Sequence, residues 1–349
     1  MNAKKLLPIA LLAGLAACQG APSSSAPPGP PPGMPPQGQQ PPGQGQNQGQ
    51  EQGESQQAVQ SPPTTLAASS RLVLDPKHNY GNRYANGMVP VGDGKYRTSS
   101  AAKGYVYACV GYASNLGTQQ GGAGSKGPWF HGTSYSIKEK SHVSGAVKWT
   151  AKFTDVVRGS TRTITTNDLP THTTGFYPVR SSDPAYKYDG NPNSIRTQSL
   201  SYSLPASPTY GSPSCMGGES GIMLTGVALF NGFDAGGRDA GAWEVQDSCG
   251  GHPQNRGEYH YHSLSSCISN IAVSHVIGYA LDGFAITGPK VGTNNILTTR
   301  DLDECHGITS TISQNGKNVS AYHYVMTQDF PYSVSCFRGH ATRPPGQPG

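Results

Sequence analysis

Charge is scarce in this 349-residue chain: Asp, Glu, Lys and Arg make up 13% of it, and no basic run occurs. Without Lys4 and Lys5, 23 basic residues face 20 acidic ones. Such a surface has no electrostatic footprint for a phosphate backbone, which excludes nucleic acid as a partner. Past the first residues, no apolar stretch approaches the ~18–20 residues of a membrane-spanning helix. P-loop, GxGxxG and HExxH motifs are missing, and with them the nucleotide and metalloprotease chemistries they mark. GGESG (217–221) does not set glycine two positions to each side of Ser220, since Ile222 follows, so it is not a nucleophile elbow. None of the seven cysteines stands in a CxxC, which argues against a dithiol redox motif and a zinc ribbon. No 3.6-residue apolar period persists for about 12 residues, and no regular oxygen spacing suggests a calcium loop.

Export signals are present. Lys4 and Lys5 precede the apolar run Leu6 to Leu15, which is too short to span a bilayer. Leu15-Ala16-Ala17-Cys18 resembles the lipobox of bacterial lipoproteins, which implies cleavage before Cys18 and lipidation of its thiol. Residues 1–18 are therefore expected to be a signal peptide. The expected partner is the membrane, through the anchor at Cys18, and the expected location is the bacterial cell envelope, at the outer membrane or cell surface. Residues 19–68 are almost wholly Pro, Gly, Gln, Ser and Ala. This composition cannot bury enough apolar surface to fold, so it reads as a disordered tether. A flexible tract of this length reaches roughly 40 Å. Residues 341–349 (ATRPPGQPG) read as a disordered tail of the same kind.

Between them the chain is rich in Gly, Ser, Thr, Tyr and Val, with turn formers every ~8–12 residues. Strands are expected at 105–110, 142–153, 161–165 and 199–204, where apolar and polar residues alternate. The fold class is mainly β, a sandwich- or barrel-like domain stapled by disulfides. Its length suggests two parts, an N-terminal β lobe (69–210) and a C-terminal domain (211–340).

The C-terminal part repeats itself. GVALFNGF (226–233), Asp247-Ser248-Cys249 with His252, and Tyr259-His260-Tyr261 ending at Cys267 form one passage. GYALDGFAI (278–286), Asp303-Glu304-Cys305 with His306, and Tyr322-His323-Tyr324 ending at Cys336 form the other. Order and chemistry together indicate an internal duplication, with the copies packed about an approximate twofold axis. Cys18 aside, six cysteines remain, an even number in an exported chain. The duplication favours Cys249–Cys267 with Cys305–Cys336, leaving Cys109–Cys215; pairings across the copies stay open.

At these residues the chain resembles the YHYH domain proteins of bacteria. The resemblance rests on EVQDSCGGHPQNRGEYHYH, GYALDGFAI, DLDECHG and AYHYVMTQDFPYSVSCFRG, with weaker similarity in DLPTHTTGFYPV, DPAYKYDGNPN and SLPASPTYGSPSC. It covers most of 100–340 and brings no established activity with it. The second copy departs from the motif at Val325, where a second histidine would stand, and this argues against a symmetric four-histidine site.

If 258–263 is a strand, His260 and His262 share one face and Tyr259 and Tyr261 the other. Two imidazoles on one face can converge on an ion at ~2.0–2.1 Å, with copper and zinc the candidate ions. The candidate ligands are His252, His260, His262, His306 and His323. Asp247, Asp303 and Glu304 are candidates for orienting the imidazoles. The single histidines (His78, His131, His142, His172, His275 and His340) are expected to be surface or core residues, and His172 is the one best placed to reach a distant site. The leading reading is a lipid-anchored envelope protein that binds a transition metal. Two others fit the same residues: a surface binding or structural module with a metal-free Tyr/His network, and an envelope metal-assisted hydrolase. The residues point to no particular protein or small-molecule partner.

Overall fold

A computed structural model describes residues 71–112 and 125–345. The expected signal peptide with Cys18 and the expected tether (19–68) lie outside the described residues. These described residues belong to one compact unit, Thr64–Gly349. The architecture is mainly β, and none of its sheets closes into a barrel. Five short strands open the chain: β1 (Met88–Pro90), β2 (Tyr96–Arg97), β3 (Val106–Tyr107), β4 (Phe130–His131) and β5 (Ser134–Ser136). A three-stranded antiparallel sheet follows, of β6 (Phe153–Arg158), β7 (Thr161–Thr166) and β8 (Leu200–Pro205). Then come β9 (Glu219–Met223), β10 (Ala228–Phe230), the one-turn helix α1 (Ala240–Trp243), β11 (Gly251–Pro253) and β12 (Tyr259–Tyr261). The last strands are β13 (Val276–Ala280), β14 (Ala285–Thr287), β15 (Gly307–Gln314) and β16 (Lys317–Val325).

Alternation located the strands that face solvent on one side. Residues alternate between buried and exposed along β7 and β8, as expected at 161–165 and 199–204. The expectation at 142–153 is not met. That segment makes only isolated bridges at Val143 and Val147, and its strand begins at Phe153. Every residue of β9 and β13 is buried, so these strands carry no alternating signature.

The eight-stranded sheet has the order β11-β12-β10-β9-β13-β14-β16-β15. This order is a palindrome if β9 corresponds to β13, β10 to β14, β11 to β15 and β12 to β16. The central pair shows the symmetry directly. Gly221 faces Ala280, Ile222 faces Tyr279 and Met223 faces Gly278, a pairing that maps onto itself when the copies are exchanged. Outward on each side lies a parallel pair, Leu229 with Tyr261 and Ile286 with Tyr324. The duplication is thus built as two half-sheets joined at their first strands. Its internal alignment corrects the sequence reading at the front. Gly226 (φ +89°) answers to Gly283 (φ +86°), not to Gly278, because both occupy the left-handed turn before β10 and β14.

The soft boundary near 210 falls inside the compact unit. Ile164, Tyr202 and Leu204 share a buried cluster with Ile222, Tyr261 and Tyr324. Cys109–Cys215 joins the early strands to the large sheet, while Cys249–Cys267 and Cys305–Cys336 each close one copy. Start of the tail is not free chain: the Thr342 amide and hydroxyl both donate to Leu281 O, at 2.9 and 3.0 Å. Its last residues, 346–349, lie outside the described residues.

Candidate metal centre

His252 on β11 stands directly opposite His260 on β12. Cross-strand partners in an antiparallel pair present their side chains to the same face. His262 lies in the bend just after β12 ends at Tyr261, and its ring still reaches that face, 4.8 Å from His260. The three ring centroids are 4.6, 4.8 and 5.4 Å apart, and all three rings are buried. Each ring offers a nitrogen, and these atoms lie within 4.8 Å of one another. The tyrosines take the opposite face, as expected: Tyr259 bonds Asp247, and Tyr261 contacts Thr225 and His172.

Backbone carbonyls orient two of the imidazoles. His262 Nδ1 lies 2.6 Å from Asn231 O, and His260 Nδ1 lies 3.3 Å from Glu258 O. A carbonyl only accepts, so both rings carry their hydrogen on Nδ1 and leave a lone pair on Nε2. Those two Nε2 atoms are 3.0 Å apart. Two nitrogens at that distance either share a proton or present opposed lone pairs, which repel unless a metal cation lies between or beside them; the lowered affinity of both rings for a proton disfavours the first.

A fourth group completes the cluster. Glu244, the residue capping the C-terminus of α1, brings Oε2 to 3.3 Å from His252 Nε2 and 3.2 Å from His262 Nε2. Neither contact has hydrogen-bond geometry. Glu244 Oε2 and both ring nitrogens of His252 are therefore buried without a hydrogen-bond partner. Such atoms cost free energy unless something binds them.

Electrostatics follow from this crowding. Burial pushes the Glu244 carboxyl up, but the His252 and His262 imidazoles outweigh it and hold it at about 2. Burial lowers His252, and Glu244 more than reverses that, leaving it raised. His260 falls well below the usual imidazole range through burial and then through His252 and His262. His262 is lowered, mainly by burial. The site thus holds Glu244 as a carboxylate and His260 and His262 as neutral imidazoles, while Glu244 holds His252 toward its protonated form, so a metal ion binding there would displace that proton. A cavity of about 450 Å³ opens beside them, walled by Met216, Phe230 and Phe233 and by Asp189, Asn191 and Asn193.

The other expected ligands stand elsewhere. His323 is fully buried, its Nδ1 3.0 Å from Thr287 Oγ1 and its Nε2 2.8 Å from Ser310 Oγ. His306 Nε2 lies 3.0 Å from Thr327 Oγ1. Burial takes His323 to about 4 against a backbone bond at Tyr324, and burial aided by Lys103 takes His306 to about 3, so both are neutral and satisfied by hydroxyls. Register explains the difference. Gly251 and Tyr261 pair in the first copy, Gly307 and Tyr324 in the second. His252 therefore corresponds to Ile308, and His262 to Val325. His306 corresponds to Gly250; both adopt a left-handed φ, +71° and +80°.

The acidic residues expected to orient the imidazoles do other work. Asp247 accepts from the amides of Gly175 and Cys249 and from the Tyr259 hydroxyl. Asp303 accepts from the amides of Cys305 and Gly307, and Asp303 and Glu304 both pair with Arg338. They stabilise the turns that carry the disulfides. His172 bonds Tyr261 and forms a second cluster with Cys249 and Cys267, whose sulfurs are joined in the disulfide. Sequence reading missed Glu244 and the carbonyls of Asn231 and Glu258. Only the proximity of Glu244 to His252 in the chain could have suggested it.

Residues 201–299 match the model of a family described as YHYH protein. The matched span contains Glu244, His252, His260 and His262, whereas Tyr322-His323-Tyr324 lies beyond it. No curated protein and no solved structure matches the chain.

Proposed function

The chain carries a YHYH domain, and we infer that this domain binds one transition-metal ion through His252, His260, His262 and Glu244. The observation that carries the reading is the pair of Nε2 lone pairs held 3.0 Å apart by carbonyl-fixed rings, beside a carboxylate oxygen with no hydrogen-bond partner. Three imidazoles and one carboxylate suit zinc, copper, nickel or iron. The cation would take the place of the missing hydrogen bonds and relieve the lone-pair repulsion. The carbonyls of Asn231 and Glu258 would keep the rings aimed at it. The adjoining cavity gives an exchangeable ligand room to reach the ion. We read the whole chain as exported and anchored through Cys18, so that the tether presents this centre away from the membrane.

Calorimetric titration of apo-protein with Zn²⁺ and Cu²⁺ tests the first claim. One equivalent is expected. Four-ligand protein sites bind with about 10–16 kcal/mol, so losing one ligand costs about 3 kcal/mol, or roughly 100-fold in affinity. His252→Ala, His260→Ala, His262→Ala and Glu244→Gln should each show a loss on that scale, while His306→Ala and His323→Ala should not. Binding unchanged in the first set would end the metal reading. Membrane fractionation of wild type against Cys18→Ala tests the anchor.

A further inference from the structure

The second cluster, His172 with Cys249 and Cys267, has a ligand set of different character. A ring nitrogen of His172 and the two sulfurs lie within 4.8 Å of one another. In the oxidised protein the sulfurs are bonded to each other and hold no metal. Exposure distinguishes this bridge from its counterpart in the other copy, though not from Cys109–Cys215, whose Cys109 is exposed as well; the neighbouring imidazole distinguishes it from both. Cys249 is buried, whereas Cys267 is exposed, so one sulfur is open to attack from solvent. Its counterpart in the other copy, Cys305–Cys336, is buried at both sulfurs. And among the described residues, neither of the other two bridges belongs to such a ligand group.

We propose that reduction of Cys249–Cys267 converts this cluster into a second metal site, with two thiolates and the His172 imidazole as ligands, selective for a soft cation such as Zn²⁺ or Cu⁺. The reductant is a dithiol. Its thiolate attacks the exposed Cys267 sulfur, forming a mixed disulfide and releasing Cys249 as a thiolate. The second thiol of the reductant then closes its own disulfide and releases Cys267. Two electrons pass from the dithiol to the bridge, and the two protein thiols give up their protons when the cation binds. Thiolates select soft cations over hard ones. His172 stands beside the bridge with both ring nitrogens hydrogen-bonded. Its Nδ1 lies 2.9 Å from Thr173 O, which leaves the Nε2 lone pair to Tyr261. A cation bound through Nε2 would displace the Tyr261 contact, and the Tyr261 hydroxyl would keep Thr225 Oγ1, 3.2 Å away; one bound through Nδ1 would displace the contact to Thr173 O.

The bridge also encloses His252, His260 and His262, with a sequence separation of 18 between its cysteines. The redox state of one bond therefore sets which ligands this segment offers: imidazoles alone when oxidised, imidazoles and thiolates when reduced.

Timed reduction of the folded protein by dithiothreitol, with alkylation and peptide mapping, reads the first step. Cys249 and Cys267 should be labelled at least about tenfold faster than Cys305 and Cys336. Titration with Co²⁺ reads the second. Oxidised protein should show no sulfur-to-cobalt charge-transfer absorption; reduced protein should gain that band with one added equivalent of Co²⁺. His172→Ala should weaken this equivalent about tenfold or more while leaving the labelling rate unchanged. Equal labelling of the two bridges, or no charge-transfer band after reduction, overturns the proposal. So does collapse of the near-ultraviolet circular dichroism on reduction, because a folded reduced state is required. Oxidised protein reports the imidazole site alone, so failure of either site is seen separately.

Discussion

Glu219 gives the sharpest quantitative test of the fold. It sits on β9 with 4% of its surface exposed, and its carboxyl accepts from the Tyr202 hydroxyl at 2.7 Å. Burial is the main cause that lifts it from 4.5 to about 8; the Tyr202 bond opposes this and nearby Glu258 adds to it. The sign follows directly. Between these two values the unfolded chain has lost the proton and the folded protein keeps it, so stability falls as pH rises through this window. The full window is worth about 5 kcal/mol, and about 3 kcal/mol is already lost at pH 7. Glutamine imitates the protonated acid and does not titrate. Glu219→Gln should therefore match wild type near pH 4.5 and exceed it by about 3 kcal/mol at pH 7, roughly 6–10 °C in Tm for a domain of this size. Asp189 and Asp239, each raised to about 6 chiefly by burial, slope the same way in both proteins and cancel in the comparison. Thermal melts of both proteins from pH 4.5 to 8 supply the measurement. Parallel curves, or a variant less stable throughout, would refute the reasoning.

Two further substitutions probe how the site is held. Asp168 accepts from the amides of Ala228 (3.1 Å) and Tyr259 (2.8 Å), tying β10 to β12 beside His260. Asp168→Ala strands two buried donors and should cost about 2–6 kcal/mol in urea unfolding; a loss below 1 kcal/mol would show that water replaces the carboxylate. A Cβ at Gly221 would lie 2.4 Å from Tyr279 O in the backbone of the facing strand, at the centre of the symmetric pair. Gly221→Ala should lower stability by about 1–3 kcal/mol, while Gly217→Ala and Gly218→Ala, with open space around them, should change it by less than about 0.5 kcal/mol.

How much of this was legible depended on the distance over which each feature is encoded. The His260/His262 pair was read from the two-residue period of a strand over 258–263; the strand is there but spans only Tyr259–Tyr261, and His262 reaches the same face from the bend that follows. The duplication favoured one cysteine pairing while leaving pairings across the copies open, and all three bridges follow the favoured one. Glu244 was not legible: it reaches the imidazoles because a one-turn helix ends there and turns its carboxylate inward, and no spacing rule links it to His260. The Asn231 carbonyl that fixes the His262 ring belongs to the backbone and leaves no mark in composition. β9 and β13 escaped detection because strands covered on both faces lose their alternation. The misplacement of His306 arose from aligning the copies by residue type. Register places it instead at the turn position of Gly250.

The palindromic sheet also explains why a duplicated unit has one imidazole centre rather than two. Both copies need the same scaffold, and both keep it. Tyr259 bonds Asp247 as Tyr322 bonds Asp303, and Gly251 and Gly307 each leave room for a tyrosine ring that a Cβ would meet within 2.3 Å. The positions facing the other way carry no such demand. There the second copy has Ile308 and Val325, both almost wholly buried, where the first has His252 and His262. Thr287 and Ser310 satisfy the one remaining imidazole, His323. Apolar burial and two hydroxyl bonds stabilise that face without a cation, whereas the first copy leaves lone pairs opposed and a carboxylate oxygen without a hydrogen bond. A fold-stabilising role would have been served equally by the second arrangement. That the first copy has the costlier arrangement is the observation that most favours the proposed bound ion over a purely structural role.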